Sequence, residues 1–236
     1  MKTLWLRVRA PFAAFRWLQA GVYRATSPVI PPSAAWGMLL NFAHVETRAP
    51  GVETTLIRPD APPLCLAVGR VALGESEYRE PEVATIYQQL HGYPVGASGA
   101  ELAKRTHGAK YWIAPVRREL LVGFDCMIGA RCDDGELLAR VGAGLRGELG
   151  EARYGLPFAG DNNLLLDRVD LLDAPVETRW YAALADDEAK PRGSCRLTVA
   201  IDRADSSRTS TLLCAPTEPT TTPPDAAWVW VPRAPG

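Results

Sequence analysis

Apolar and polar positions alternate strictly at the start of the chain. Leu4, Leu6 and Val8 are interleaved with Trp5, Arg7 and Arg9, the period of a half-buried strand. Ala10-Pro11 is expected to end it, and a turn-rich loop runs on to Pro32. Pro31-Pro32-Ser33 then reads as a helix start with Ser33 as N-cap, and Trp36, Leu39, Leu40 and Ala43 follow at helical spacing. Leu64 to Leu73 is an apolar run bounded by Pro62-Pro63 and Gly74, which predicts a strand. Residues 74–116 are polar, and their later part is basic. They predict a long excursion from the core, of the kind a hairpin would make. Arg118 to Ile128 predicts a second long strand, Gly135 to Leu149 a helix, and Leu164 to Leu172 a further strand.

The predicted order is strand, helix, strand, strand, helix, strand, the split βαβ arrangement of a ferredoxin-like (RRM-like) α+β domain. Such a sheet has two helices on one face and leaves the other open, a common place to lay RNA. The expected division is therefore a ferredoxin-like RNA-binding domain at 1–172, with an insertion at roughly 74–116, and a small β-rich region at 173–236. In that last region Arg196 to Ile201 and Trp228 to Val231 predict short strands. Thr217 to Pro224 predicts a Pro/Thr loop.

Charge changes this picture only when it is divided. The net charge of −1 argues against a strongly basic nucleic-acid binder. Yet no Asp or Glu precedes Glu46, and residues 1–120 carry +5 against −6 for residues 121–236. Lys2, Lys104, Lys110 and Lys190 are four lysines among 26 basic residues, so 22 are arginine. A GC-rich genome would produce that bias; it also suits phosphates and base edges, which a planar fork matches better than a point charge. The five cysteines Cys65, Cys126, Cys132, Cys195 and Cys214 include no C-x-x-C pair and read as buried thiols of a reducing cytoplasm. Arg7 and Arg9 break the first apolar run before it could be a signal segment, and no run approaches 18 apolar residues. No membrane association is expected.

Two motifs are set aside on context. Gly142-Ala143-Gly144-Leu145-Arg146-Gly147 spells G-x-G-x-x-G, but a helical pattern precedes it where a dinucleotide site needs a strand. Gly96-Ala97-Ser98-Gly99 is one residue short of a nucleophile elbow. His44, His91 and His107 lack metal-ligand spacing, so no metal or cofactor is expected.

The segments that suit RNA are two. Arg9, Phe12, Phe15, Arg16, Trp17, Tyr23 and Arg24 interleave arginine with aromatics and meet no acid. Lys104, Arg105, His107, Lys110, Tyr111 and Trp112 combine cations, an imidazole and aromatics within nine positions. A metal-free ribonuclease, with a His or Tyr as acid/base and a Lys on the developing charge, is the enzymatic alternative for that second segment.

Arg24-Ala25-Thr26-Ser27-Pro28-Val29-Ile30-Pro31-Pro32-Ser33, followed by Trp36-Gly37-Met38-Leu39-Leu40, resembles the fifth CRISPR-associated protein family. That family belongs to the RAMP superfamily and supplies a subunit of type I Cascade. Arg153 to Asn163 resembles the family's glycine-containing late loop. The pattern is similar to the DevS-like branch. The resemblance implies a ferredoxin-like domain with a thumb-like insertion, binding of the five-prime handle of the CRISPR RNA, and contacts with the Cascade backbone subunit and large subunit. Target DNA would be met through the assembled complex. Carried onto this chain, it makes Arg7, Arg9, Phe12, Phe15, Arg16, Tyr23, Arg24, Thr26 and Ser27 handle-binding candidates, with Lys104, Arg105, His107 and Lys110 as thumb contacts. One branch of the family cleaves precursor CRISPR RNA without metal. The better match is to the non-catalytic branch, so no catalytic residue is expected.

Overall fold

A computed structural model describes residues 2–17, 22–49, 56–72, 74, 77–94, 111–133, 135–185, 187 and 189–232. It is a mixed α+β fold built on one large antiparallel sheet and two helices. β1 (Thr3–Ala13) lies between β5 (Tyr111–Arg131) and β6 (Arg168–Leu172), and β5 also pairs β3 (Leu64–Val71). The order across the sheet is thus β6–β1–β5–β3, with every neighbour antiparallel. Helix α1 (Pro32–Phe42) follows β1 and precedes β3, and α2 (Gly135–Leu145) joins β5 to β6.

The alternation read from the sequence sorts the two faces. Leu6 and Val8 of β1, Leu66 and Val68 of β3, and Cys126 and Ile128 of β5 pack with Leu39, Leu40 and Phe42 of α1 and Leu138 and Val141 of α2. The intervening residues point the other way. There Ala67 and Met127 form a second core with Trp180 and Ala227, against which Trp5 and Trp228 pack. Trp5 sits 5.9 Å from both Trp180 and Trp228, ring centre to ring centre. Arg131 lies 3.7 Å over the Trp228 ring. The sheet face expected to be open is therefore covered at this end by indoles. The cover comes from β7 (Thr178–Ala183) and from the segment before β10 (Val229–Val231).

These C-terminal strands extend the same sheet. One edge of β3 takes β10 at Leu64–Leu66 and β7 at Gly69–Val71, and β9 (Ser210–Pro216) and β8 (Cys195–Ala200) continue beyond β7. β7 and β9 are absent from the sequence reading: β7 is a largely buried run, and neither strand alternates cleanly. The excursion begins as a hairpin arm. β4 (Val83–Pro94) pairs antiparallel with the first half of β5.

Several boundaries differ from expectation. β1 continues through Pro11, because Arg9 accepts from Asp167 on the β6 side and β6 has ended where Pro11 turns the same way. Pro31, rather than Ser33, is the α1 cap residue, with Pro32 in the first turn and no side-chain cap. α2 stops at Leu145, and β6 begins only at Arg168, leaving 146–167 as loop.

The G-x-G-x-x-G string has a packing role. A Cβ at Gly144 would collide with the Phe42 carbonyl oxygen, so glycine lets α2 meet the end of α1. Gly37 of α1, half-buried, has open space where a Cβ would stand. Gly144→Ala should destabilise the chain by at least about 2 kcal/mol despite alanine's better helix propensity. Gly37→Ala should be neutral or stabilising by up to about 1 kcal/mol. Urea midpoints at unchanged slope would measure both.

Candidate nucleic-acid interface

The chain leaves β1 and doubles back on itself. Arg16 bridges Thr26, Ser27 donates its N–H to the Phe15 carbonyl at 2.8 Å, and the Thr26 hydroxyl accepts the Phe15 N–H at 3.0 Å. The Ser27 hydroxyl donates to the Val29 carbonyl at 2.7 Å. Phe15 packs on Phe124 with ring centres 5.3 Å apart. Phe15, Thr26 and Ser27, expected as handle contacts, are thus interior and hold the loop through these bonds. Ser and Thr here satisfy backbone groups that would otherwise be buried unpaired.

The late loop closes over this turn. Ala159 accepts the Ala14 N–H at 2.9 Å, and Gly160 takes a left-handed conformation (φ 82°) against the Ala14 carbonyl and the Phe15 ring. The next residue, Asp161, meets Arg118 of β5 at 2.5 Å and accepts from the Asn163 N–H at 2.9 Å. Burial works against the Asp161 carboxylate, but the Asn163 amide and the Arg118 guanidinium outweigh it and hold its pKa below the ordinary range.

β2 (Tyr23–Arg24) adds the remaining cations. It runs parallel to β5, with Tyr23 opposite Arg117 and Arg24 opposite Arg118. Arg24 is half-buried, and its pKa is lowered, first by that burial and then by the charges of Arg16 and Arg118. Its Nε is buried with no partner, and among the described residues nothing is hydrogen-bonded to its guanidinium. Arg16 is exposed. Arg24 thus lies in the field of two other guanidiniums, exposed Arg16 and buried Arg118, of which Arg118 is paired with Asp161, an arrangement that would take an anion such as a phosphate.

The other candidates separate. Phe12 is exposed at the end of β1, and Phe158 is exposed next to Ala159 of the late loop. Tyr23 is exposed on the face opposite Arg24, where its hydroxyl donates to Glu119 at 2.5 Å. Arg7 is bound by both oxygens of Asp125 at 2.9 and 2.6 Å, and Asp125 raises its pKa. Arg9 shares Asp170 with Arg168, at 2.9 and 2.6 Å. Arg7, expected as a handle contact, thus has a carboxylate of its own, whereas Arg9, expected likewise, shares one carboxylate with a second guanidinium. Lys104, Arg105, His107 and Lys110 lie outside the described residues. Arg118 and Asp161 were absent from the candidate set. The Arg117-Arg118 doublet inside a strand was the available signal.

The five cysteines are buried free thiols, with burial pushing Cys195 and Cys214 up to about 12. Among the described residues no three of His, Cys, Asp and Glu converge as metal ligands. No described helix is long and apolar enough to cross a membrane.

No protein-family profile and no curated protein matches the chain. Among solved structures, a chain of a CRISPR RNA-guided surveillance complex aligns over 95% of this chain and 92% of its own length, with a TM-score of 0.55 and 15% identity. A Cas protein crystal structure aligns over 92% and 95%, with a TM-score of 0.46 and 15% identity. A chain from a type III-B Cmr-beta structure, bound to cognate target RNA and AMPPnP, aligns over 92% and 84%, with a TM-score of 0.42 and 12% identity. The first of these shares the overall fold.

Asp161→Asn would leave the buried Arg118 without its counter-charge and should destabilise the chain by about 3 kcal/mol at neutral pH. Because the folded carboxyl has a lowered pKa, its contribution is complete above the unfolded value of about 3.9 and is lost as pH falls through the folded one. The gap between wild type and Asp161→Asn in urea midpoint should therefore be full at pH 7 and narrow below about pH 4.

Proposed function

We propose that the chain is a non-catalytic RNA-binding subunit of a type I CRISPR surveillance complex, holding the five-prime handle of the CRISPR RNA at one end of the assembly. The observation that carries this reading is the Arg16–Arg24–Arg118 cluster. There Arg118 is paired with Asp161, and Arg24 is half-buried with no described partner. Desolvating an arginine without a counter-charge is unfavourable, and a phosphate of the handle would supply that charge. The fold shared with a chain of a CRISPR RNA-guided surveillance complex supports the same reading. So does the family resemblance of residues 24–40.

The core is read as ferredoxin-like. The order β6–β1–β5–β3 places the fourth, first, third and second core strands side by side, with helices after the first and third. In this proposal residues 1–172 carry the RNA. The β4–β5 arm is the root of a thumb (insertion at roughly 74–116) directed at the neighbouring backbone subunit, and residues 173–236 are an appended β-rich region. The large subunit is the other protein neighbour, and target DNA is met only through the assembled cytoplasmic complex.

Arg16→Ala together with Arg24→Ala should weaken handle binding by more than tenfold and reduce the dependence of log affinity on log salt by about 1.4, the value for two single-strand phosphate contacts. Fluorescence anisotropy across a salt series reads both, and an unchanged slope overturns the assignment. Repeat RNA incubated with the chain in EDTA should remain intact on a denaturing gel. A unique cut would establish the ribonuclease reading instead.

A further inference from the structure

The strand register brings together three residues that the arginine cluster does not use. Tyr23 of β2 and Tyr87 of β4 both stand opposite Arg117 of β5, one from each side. Residues in register on neighbouring strands point to the same face. Tyr23, Arg117 and Tyr87 therefore form one row, on the face opposite Arg24 and Arg118. With strands about 4.8 Å apart, the row is about 10 Å long.

All three side chains are exposed, Tyr87 at 67% and Tyr23 at 48%. Such exposure is more than packing requires of two aromatic residues on strands flanking β5. Tyr23 is also fixed. Its hydroxyl donates to one oxygen of Glu119 at 2.5 Å, while the other oxygen accepts the Thr26 N–H at 2.9 Å. The ring is tethered at its strand and at its tip, so little side-chain freedom remains to be lost when something stacks on it. Glu119, two positions along β5 from Arg117, is occupied by those two bonds. No described residue is hydrogen-bonded to the Arg117 guanidinium, whose charge is felt at Tyr23.

We infer that Tyr23, Arg117 and Tyr87 are a stacking row for an unpaired nucleotide of single-stranded RNA. The rings take the base, and Arg117 takes its phosphate or stacks beside it. The inference rests on the RNA-binding reading above and extends it to a second face. β2 is only two residues long, so a single strand rounding it would meet Arg24 on one side and Tyr23 on the other. A flexible polynucleotide can make that turn, whereas a folded protein partner would have to straddle the strand.

The test uses the full chain and a labelled oligouridylate of about twelve nucleotides, with affinity read by anisotropy. Tyr87→Ala should weaken binding about tenfold with an unchanged salt slope, and Tyr87→Phe should bind within about twofold of wild type. Arg117→Ala should lower the slope. On an abasic oligomer, Tyr87→Ala and wild type should bind alike. A 5-bromouridine oligomer should cross-link to the peptide containing Tyr87 or Tyr23. If Arg24→Ala weakens binding while Tyr87→Ala does not, the stacking row is overturned and the arginine cluster stands. If Tyr87→Ala leaves RNA affinity intact but blocks co-assembly with partner subunits, the row is a protein contact and the inference fails. If wild type binds no RNA, both this inference and the reading beneath it fail. Circular dichroism of each variant separates loss of binding from loss of fold.

Discussion

β5 is hydrogen-bonded to four other strands, and each part of the candidate interface takes its position from one of those pairings. Its 21 residues extend about 70 Å if regular, more than a core sheet of this size can cover. Its second half, from about Leu121, is buried between β1 and β3 and fixes the register of the core. Its first half carries β4 on one edge and β2 on the other, and presents Arg117 to one face and Arg118 to the opposite one. A one-residue slip of this strand would exchange those two arginines and place core side chains in water, so the burial of the second half dictates the chemistry of the first.

Arginine has two distinct uses along this scaffold. Arg7 and Arg9 sit in the middle of the sheet, where Arg7 pairs with Asp125 and Arg9 shares Asp170 with Arg168. Arg16, Arg24 and Arg118 gather where β1 has ended and the late loop supplies a single carboxylate. The first group lowers the electrostatic self-energy of a polar strand face, and the second keeps a positive potential. Potential at a surface depends on which charges remain unmatched. That explains how a chain of net charge −1 can present a cationic site.

Much of the scaffold was legible in the sequence, because alternation and helical spacing are local signals. Leu4 to Val8, Trp36 to Ala43 and Leu120 to Cys126 all announce their buried faces within a few residues. What could not be read depends on distant partners. Arg7 and Asp125 are 118 positions apart, and Arg9 and Asp170 are 161 apart, so an acid-free N-terminus looks uncompensated when it is not. The same holds for Phe15. An aromatic among arginines has the same composition whether it stacks on a base or on Phe124. The +5 and −6 halves of the chain were a sound guide to where the cations lie. They were a poor guide to which cations are available, since several acids of the second half fold back onto the first.

The sharing of one β3 edge by β10 and β7 bears on how the chain folds as it is synthesised. Once residues 1–172 have emerged, β1, β3, β5 and β6 can pair and the helical face can close. The opposite face, with Trp5, Ala67 and Met127, has no cover until residues 178–231 follow. A nascent chain would therefore expose an indole and an unpaired strand edge for as long as it takes to make roughly sixty residues, several seconds at ordinary elongation rates. Closure by β7 and β10 makes that late segment a checkpoint for solubility. Truncations inside it would be expected to aggregate even though they leave every arginine of the interface in place.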